Sequence, residues 1–287
     1  MSTAAKRRYA AAGFVTLLIL SIFWPSPLVS MNRLWWDEDL EIDELSFLGR
    51  EAPSWDVVFW CIAGLLLLAI LQSAESNDFR PAWQLFRSWR RPRGFGLSAA
   101  AWIVVGAAVV AFTWLVLDVR VLAWAESIRT DGVENVIRLV NRFGGGMNPA
   151  LVIAFFLVAG IAYADRRWVQ HAVGMAMAGL AAGLVAQVIK HLVGRARPEL
   201  WLGPEHYAPG SSTSFPSGHT VGAFALAGVL VFSARSPGLR VAAFVLACAV
   251  GLSRIVSFRH WSSDVVASAI LGLFAALVVV RGLRTEG

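Results

Sequence analysis

The chain has 287 residues, of which 57% are hydrophobic and only 15% are charged. Soluble domains carry about 25% charged residues, so this composition excludes a disordered chain and argues against a soluble enzyme. The formal net charge is +6, but the basic residues lie in short clusters between apolar stretches, which argues against nucleic acid as a partner. The sequence therefore predicts a polytopic membrane protein.

The apolar stretches predict an all-α transmembrane helical bundle of about eight spans. The predicted spans are 10–29, 55–73, 98–117, 149–164, 170–189, 219–233, 239–256 and 263–280. The basic run Lys6-Arg7-Arg8 before the first span is also typical of a secretory signal, but no clear cleavage site follows it. We therefore interpret residues 10–29 as a span.

The distribution of basic residues predicts the orientation of the bundle. An even number of spans places both termini on one side, and alternation gives that side 14 of the 25 lysines and arginines, including the arginine-rich loop 80–93. By the positive-inside rule this side is cytoplasmic. The acidic loop 35–44 then lies outside, and we interpret it as an interfacial segment. It is not a calcium loop, because Ile42 and Leu48 occupy the positions of the required glycine and glutamate.

Two segments between the third and fourth predicted spans also have recognisable patterns, one typical of a helix and one typical of a hinge. Residues 121–143 alternate apolar and charged positions at helical spacing, which predicts one outer helix lying in the membrane interface. Gly144-Gly145-Gly146 follows and is predicted to be a hinge, because the lysine and hydroxyl residue of a phosphate-binding loop are missing.

The two cysteines, Cys61 and Cys248, both lie in apolar stretches, so neither a disulfide framework nor a thiolate metal cluster is expected.

The last third of the chain carries three polar clusters, and alternation of the spans places all three at the outer face. They are Lys190 to Arg197-Pro198, Pro216-Ser217-Gly218-His219, and Ser253-Arg254 followed by His260 and Asp264. Each cluster alone has an ordinary structural interpretation: the cations as interfacial anchors, the histidine as a packing residue and the aspartate as a helix cap. Anchoring does not require two histidines, an aspartate and three cations on one face.

Together these residues have the chemistry of a phosphate site. Lys190, Arg197 and Arg254 supply three positive charges, and Ser217-Gly218 opens a helix whose free N–H groups favour an anion. Asp264 follows His260 by four residues; if the last helix starts early enough, the carboxylate holds one ring nitrogen while the other faces the substrate. This arrangement suits a nucleophile with an orienting group. His219, from another span, is positioned to protonate a leaving oxygen.

At these residues the chain resembles the type-2 phosphatidic acid phosphatase superfamily, membrane-bound lipid phosphate phosphatases with the motifs K-x6-R-P, P-S-G-H and S-R-x5-H-x3-D. All eleven fixed positions and all three internal spacings match. The resemblance implies a metal-independent phosphatase without a cofactor, in which His260 attacks phosphorus to form a phosphohistidine, Asp264 orients it and His219 protonates the leaving group. Lys190, Arg197, Ser217, Gly218 and Arg254 would hold the phosphoryl oxygens.

The resemblance also implies a domain organisation. Residues 98–287 would form the six-helix phosphatase core, and residues 1–97 an extra N-terminal helix pair with the acidic and arginine-rich loops. The sequence contains no indication of oligomeric state.

Three functions remain open from the sequence. The leading hypothesis is a lipid phosphate or diphosphate phosphatase of a bacterial-type inner membrane, multi-pass, with its active site on the outer, periplasmic side. Trp201, Leu202, Tyr207 and Phe215 would then lie at the headgroup level. A second hypothesis is a lipid phosphotransferase that uses the same phosphohistidine. A third is a transporter whose cations line an anion or lipid path.

Overall fold

A computed structural model describes residues 80–90, 92, 95–144, 148–208 and 213–284, together with residues 5, 12 and 13. Except for residues 12 and 13, the two predicted N-terminal spans and the acidic loop 35–44 lie outside the described residues. The described part of the chain is helical, with only an isolated β-bridge between Arg195 and Tyr207. The all-α prediction is therefore confirmed for these residues.

The described helices follow one another along the chain with short connections. They are α1 (Arg80–Ser88), α2 (Phe95–Phe112), a π-helical turn (Thr113–Leu117), α3 (Asp118–Ser127), α4 (Asp131–Gly144), α5 (Asn148–Tyr163), α6 (Arg166–Val193), a 3-10 turn (Pro198–Leu200), α7 (Gly218–Ser233), α8 (Pro237–Val256) and α9 (Ser262–Arg284).

Each of the last six predicted spans coincides with one helical segment. Four segments are long and apolar enough to cross a membrane, and two shorter apolar helices, Pro149–Tyr163 and Gly218–Ser233, lie between them. The four long segments are Ser98–Ser127, Arg166–Val193, Pro237–Val256 and Ser262–Leu283. Because helices satisfy all their backbone hydrogen bonds internally, they can cross the hydrocarbon core. The chain is a multi-pass membrane protein.

The predicted single outer helix over 121–143 is wrong. Residues 118–127 instead continue the helix that begins in α2, and a new helix starts at Asp131. The break arises because Thr130 caps α4: its Oγ1 accepts the N–H of Val133 at 3.3 Å. Part of the apolar face of α4 packs inside the protein, since Val133 and Ile137 contact Ile255 and neighbouring core residues.

The described helices divide between two compact units. Of the described residues, one unit includes 80–87 and 148–173, and within it Phe155, Phe156 and Trp168 form a cluster of ring contacts. The other unit comprises residues 88–144 and 174–287. In this second unit α7 packs against α8 and α9, α8 against α4, and α9 against α2.

Close approach of α7 and α9 positions the polar clusters. A Cβ atom added at Gly272 of α9 would lie 2.7 Å from the carbonyl oxygen of Val221 and 2.8 Å from the backbone nitrogen of Ala225. Small residues allow two helix backbones to approach this closely. At the start of α7, the N–H of Ser217 donates to Ser268 Oγ of α9 at 2.8 Å. The first turns of both helices are thereby held side by side.

Candidate active site

The first motif lies where α6 ends. Gly194 adopts a left-handed backbone with φ of 62°, and its N–H donates to the carbonyl of Lys190 at 3.1 Å. Glycine tolerates this conformation, which ends the helix and turns the chain. The following segment is tied by backbone hydrogen bonds, with Ser214 N–H donating to the carbonyl of Arg195 at 2.7 Å. Arg197 is buried and Lys190 is half-buried.

The second motif forms the start of α7. The helix begins at Gly218, with Ser217 buried just before it and His219 half-buried in its first turn. Thr220 Oγ1 donates to Ser217 Oγ at 2.9 Å. The N–H groups of a first helical turn have no carbonyl partner within the helix and favour an anion.

The third motif spans the end of α8 and the start of α9. Arg254 is buried in the last turn of α8, and its carbonyl accepts the N–H groups of Arg259 and His260, both at 3.2 Å. Ser253 Oγ contacts Asn141 Oδ1 of α4 at 2.7 Å. The loop therefore folds back so that His260 lies beside the buried end of α8.

The histidine is held by a backbone carbonyl rather than by the predicted carboxylate. His260 Nδ1 lies 2.6 Å from the carbonyl oxygen of Ser214. A carbonyl oxygen only accepts hydrogen bonds, so Nδ1 carries the proton and Nε2 keeps its lone pair. Asp264 Oδ2 is 3.8 Å from Nδ1, too far for a hydrogen bond, because α9 starts at Ser262, after His260. The expected Asp264–His260 hydrogen bond is therefore absent.

Burial and positive charge keep the histidine neutral. Burial lowers the pKa of His260 well below its ordinary value, and the charges of Arg254, Lys190 and Arg197 lower that pKa further. The three cations, which come from two of the motifs, thus act on one imidazole. At neutral pH the unprotonated Nε2 is available as a nucleophile.

Asp264 supports the histidine indirectly. Its Oδ2 accepts the N–H of Trp261 at 2.8 Å and also the hydroxyl of Ser214, and its Oδ1 accepts from Arg195 at 2.6 Å. The bond to Trp261 is the reciprocal cap expected of a carboxylate at the third position of a helix. Asp264 thereby fixes the two backbone segments on either side of the imidazole.

Sequence reasoning missed three residues of this cluster. Ser214 contributes its carbonyl and hydroxyl, Arg195 bridges two carboxylates, and Asp118 supplies the second of these. A signal existed for Asp118, because it is the first charged residue after the uncharged run 95–117, and acids at membrane depth are costly. Arg195 lies inside the first motif's variable stretch, where residue type carries no motif information.

The described residues contain no group of three or more histidine, cysteine, aspartate or glutamate side chains arranged to hold a metal ion. The charges around His260 are instead those of lysine and arginine. These side chains bind phosphoryl oxygens directly.

Comparison with known proteins finds a family model that matches the last part of the chain. Residues 167–287 match the family model of the PAP2 superfamily. A crystal structure described as a transmembrane PAP2-type phosphatidylglycerolphosphate phosphatase from Bacillus subtilis superposes with a TM-score of 0.51 over 70% of this chain and 94% of that chain, at 23% identity. This match shows the fold. The resemblance to this superfamily drawn from the three motifs is confirmed by the family model, which matches residues 167–287.

Curated relatives share a common description. A protein of Porphyromonas gingivalis named lipid A 1-phosphatase is 40% identical over 52% of this chain and 34% of its own length. Proteins of the same name from Rhizobium johnstonii and Rhizobium etli are each 39% identical, over 33% and 34% of this chain. The chain spans only 34% to 46% of the length of these relatives.

Proposed function

We propose that this protein is an integral-membrane phosphatase that hydrolyses the phosphate monoester of a lipid through a phosphohistidine, without a metal ion. The observation that carries the proposal is the state of His260. It is buried and neutral, its Nδ1 is bound to the Ser214 carbonyl, and three cations surround it. Its Nε2 therefore combines a free lone pair with an environment that attracts phosphate.

The reaction follows from these positions. Lys190, Arg197 and Arg254, with the hydroxyl of Ser217 and the N–H group of Gly218, hold the phosphoryl oxygens and neutralise their charge. His260 Nε2 attacks phosphorus, and the bond between phosphorus and the lipid oxygen breaks. His219, in the first turn of α7, gives a proton to that oxygen.

The second half of the reaction restores the enzyme. A water molecule attacks the phosphohistidine, and His219 takes up one of its protons, because the acid of the first step is the base of the second. Inorganic phosphate leaves and Nε2 regains its lone pair. Asp264 holds Ser214 and Trp261 on either side of the imidazole throughout, which keeps the nucleophile in one orientation.

The first substrate to test is a lipid A phosphorylated at position 1. Support comes from the names of three relatives with 39% to 40% identity to this chain. Phosphatidate, phosphatidylglycerol phosphate and undecaprenyl diphosphate are the competing lipids, since each presents a phosphate that three cations can hold.

We propose that the site opens to the outer leaflet of a bacterial-type inner membrane, with both termini cytoplasmic. The excess of lysine and arginine on the opposite loops supports this orientation. Near the site, Trp201 and Leu202 expose 68% and 54% of their surface, which suits contact with lipid. Residues 98–287 would form the catalytic core, with residues 1–97 as an added N-terminal segment.

The deciding experiment measures phosphate release by the purified protein in detergent, from the four lipids above, with EDTA present. Wild type is compared with His260→Ala and with His191→Ala, a control at an exposed position near the end of α6. We expect release by wild type and by the control, and a loss of about 10⁴-fold or more in His260→Ala. Equal release by His260→Ala would contradict the nucleophile assignment, and loss of release in EDTA would contradict the metal-free mechanism.

Trapping the intermediate separates hydrolysis from other chemistry. Labelled substrate should give an acid-labile phosphoprotein in wild type and none in His260→Ala. Label that passes to an added acceptor lipid instead of water would establish a phosphotransferase. Transport of the lipid by His260→Ala at the wild-type rate would identify a transporter.

A further inference from the structure

A buried ionic network lies behind the candidate nucleophile. It consists of Asp118, Arg195 and Asp264, whose exposed fractions are 1%, 2% and 0%. Arg195 bridges the two carboxylates, with 2.7 Å to Asp118 Oδ2 and 2.6 Å to Asp264 Oδ1. Two carboxylates and one guanidinium leave a net charge of −1. Only Asp264 belongs to the three motifs.

Arg195 is fixed in every direction. Its Nε donates to the carbonyl of Pro204 at 2.9 Å, and one terminal nitrogen also donates to Ser263 Oγ at 2.7 Å. The guanidinium carbon lies over the rings of Trp114 and Trp261, at 5.8 Å and 5.3 Å from their centroids. Cation–π contacts and a planar fork of hydrogen bonds hold the group in one orientation.

Asp118 joins this network to the start of α9. Its Oδ1 accepts the hydroxyl of Ser262 at 2.7 Å and the N–H of Ser263 at 2.8 Å, and its Oδ2 also accepts the hydroxyl of Ser263 at 2.7 Å. Asp118 therefore caps α9 from a different helix. It follows directly after the π-helical turn Thr113–Leu117, a distortion that often occurs at functional sites.

We propose that Asp118 is a positioning residue for His260, acting through Arg195 and Asp264. This inference rests on the proposed function. Asp118 shares Arg195 with Asp264, Asp264 binds the Ser214 hydroxyl, and the Ser214 carbonyl holds the proton on His260 Nδ1. The chain of contacts thus fixes the tautomer that leaves Nε2 free.

The charge of the network assists the same step. When Nε2 binds phosphorus while Nδ1 keeps its proton, the imidazole becomes cationic. A net charge of −1 behind the ring stabilises that cation. Without the Asp118 charge, Arg195 and Asp264 cancel each other, and the imidazole faces a neutral network while three cations remain around it.

The test compares Asp118→Asn with Asp131→Asn, which removes a carboxylate from an exposed position of α4. We expect kcat for lipid phosphate hydrolysis to fall about 10–100-fold in Asp118→Asn, with KM changed less than about threefold, because the phosphate-binding cations remain. Asp131→Asn should match wild type. A kcat within about twofold of wild type in folded Asp118→Asn overturns the proposal.

A spectroscopic measurement makes the test independent of turnover. ¹⁵N spectra of histidine-labelled protein report which ring nitrogen carries the proton, and His260→Gln identifies the signal among five histidines. We expect protonation at Nδ1 in wild type and Asp131→Asn, and a mixture of tautomers in Asp118→Asn. If no lipid phosphate is hydrolysed by wild type, the proposed function fails; an unchanged tautomer in Asp118→Asn then overturns the positioning role, and a changed one supports it.

A milder change covers the case in which Asp118→Asn does not fold. Ser262→Ala removes one hydrogen bond to Asp118 and leaves its charge and its pairing with Arg195. Its kcat should fall several-fold at unchanged KM. Wild-type kcat together with a wild-type tautomer in this variant would contradict the proposal.

Discussion

Arginines occur at both ends of the bundle formed by α7, α8 and α9, but their exposure to solvent differs between the two ends. At the end where α7 meets α8 and where α9 finishes, the arginines are exposed: Arg235, Arg240 and Arg281. At the other end they are buried: Arg195, Arg197 and Arg254. Exposed cations at the end of a span need only water and lipid headgroups. Buried cations require counter-charges or a ligand.

The buried end supplies counter-charges for two of these arginines. Asp118 and Asp264 pair with Arg195, and Glu199 lies 3.5 Å from Arg197. The remaining positive charge acts on His260, whose pKa it lowers. The same residue type therefore serves as an anchor at one end and, in our proposal, as a phosphate ligand at the other. Burial and neighbours make the difference, so the contrast can be tested by changing one arginine at each end.

The largest effect should come from the buried end. Arg254→Gln is expected to lower kcat/KM for lipid phosphate hydrolysis about 10²–10³-fold, because it removes a charge that stabilises the transferring phosphoryl group. Arg235→Gln, at the exposed end, should leave kcat/KM within about twofold. Steady-state kinetics of the two variants decide the matter. Comparable losses in both would show that the two ends do not differ in function.

A second prediction concerns the leaving group. His219→Ala should slow hydrolysis of a lipid phosphate about 10²-fold, because the departing alkoxide then lacks its proton donor. With p-nitrophenyl phosphate the loss should be much smaller, since that leaving group departs without protonation. Measuring both substrates on both proteins gives the result. An equal loss for the two substrates would remove His219 from the role of acid.

The third prediction concerns the close packing of α7 against α9. Gly272→Ala should destabilise the protein by about 1–3 kcal/mol, because the new methyl group meets the backbone of Val221 and Ala225. The matched control is Gly222→Ala in α7, where a Cβ atom meets nothing within 4 Å. Thermal unfolding in detergent compares them. The control should be neutral or slightly stabilised, because alanine favours a helix over glycine.

The smallest effect is a pH dependence confined to the buried end. The pKa of His260 is lowered in the folded protein from its ordinary value of 6.5. As pH falls below that value the unfolded state binds a proton that the folded state does not, so stability decreases by at most about 1.4 kcal/mol per pH unit. In His260→Asn this contribution is absent. As pH falls, the Tm of wild type should therefore decrease more than the Tm of His260→Asn. A larger decrease in His260→Asn would contradict the lowered pKa.

The sequence determined the spans and the residue types of the site. Six predicted spans coincide with helical segments, because apolar length is a local property that the bilayer selects. The motifs named Lys190, Arg197, Arg254 and His260, and the structure brings the three cations close enough for their charges to act on the imidazole.

The tertiary structure decided how those residues are supported. The partner of His260 is the carbonyl of Ser214, 46 residues away. Because every residue has a backbone carbonyl, the sequence does not indicate which one binds the histidine. Asp118 pairs with Arg195 across 77 residues, and Arg195 with Asp264 across 69. The local sequence shows where a charged residue lies but not which residue it pairs with, because pairing depends on which helix ends the packing brings together. The sequence thus determines which chemical groups the site contains, and the folded bundle determines how they are oriented.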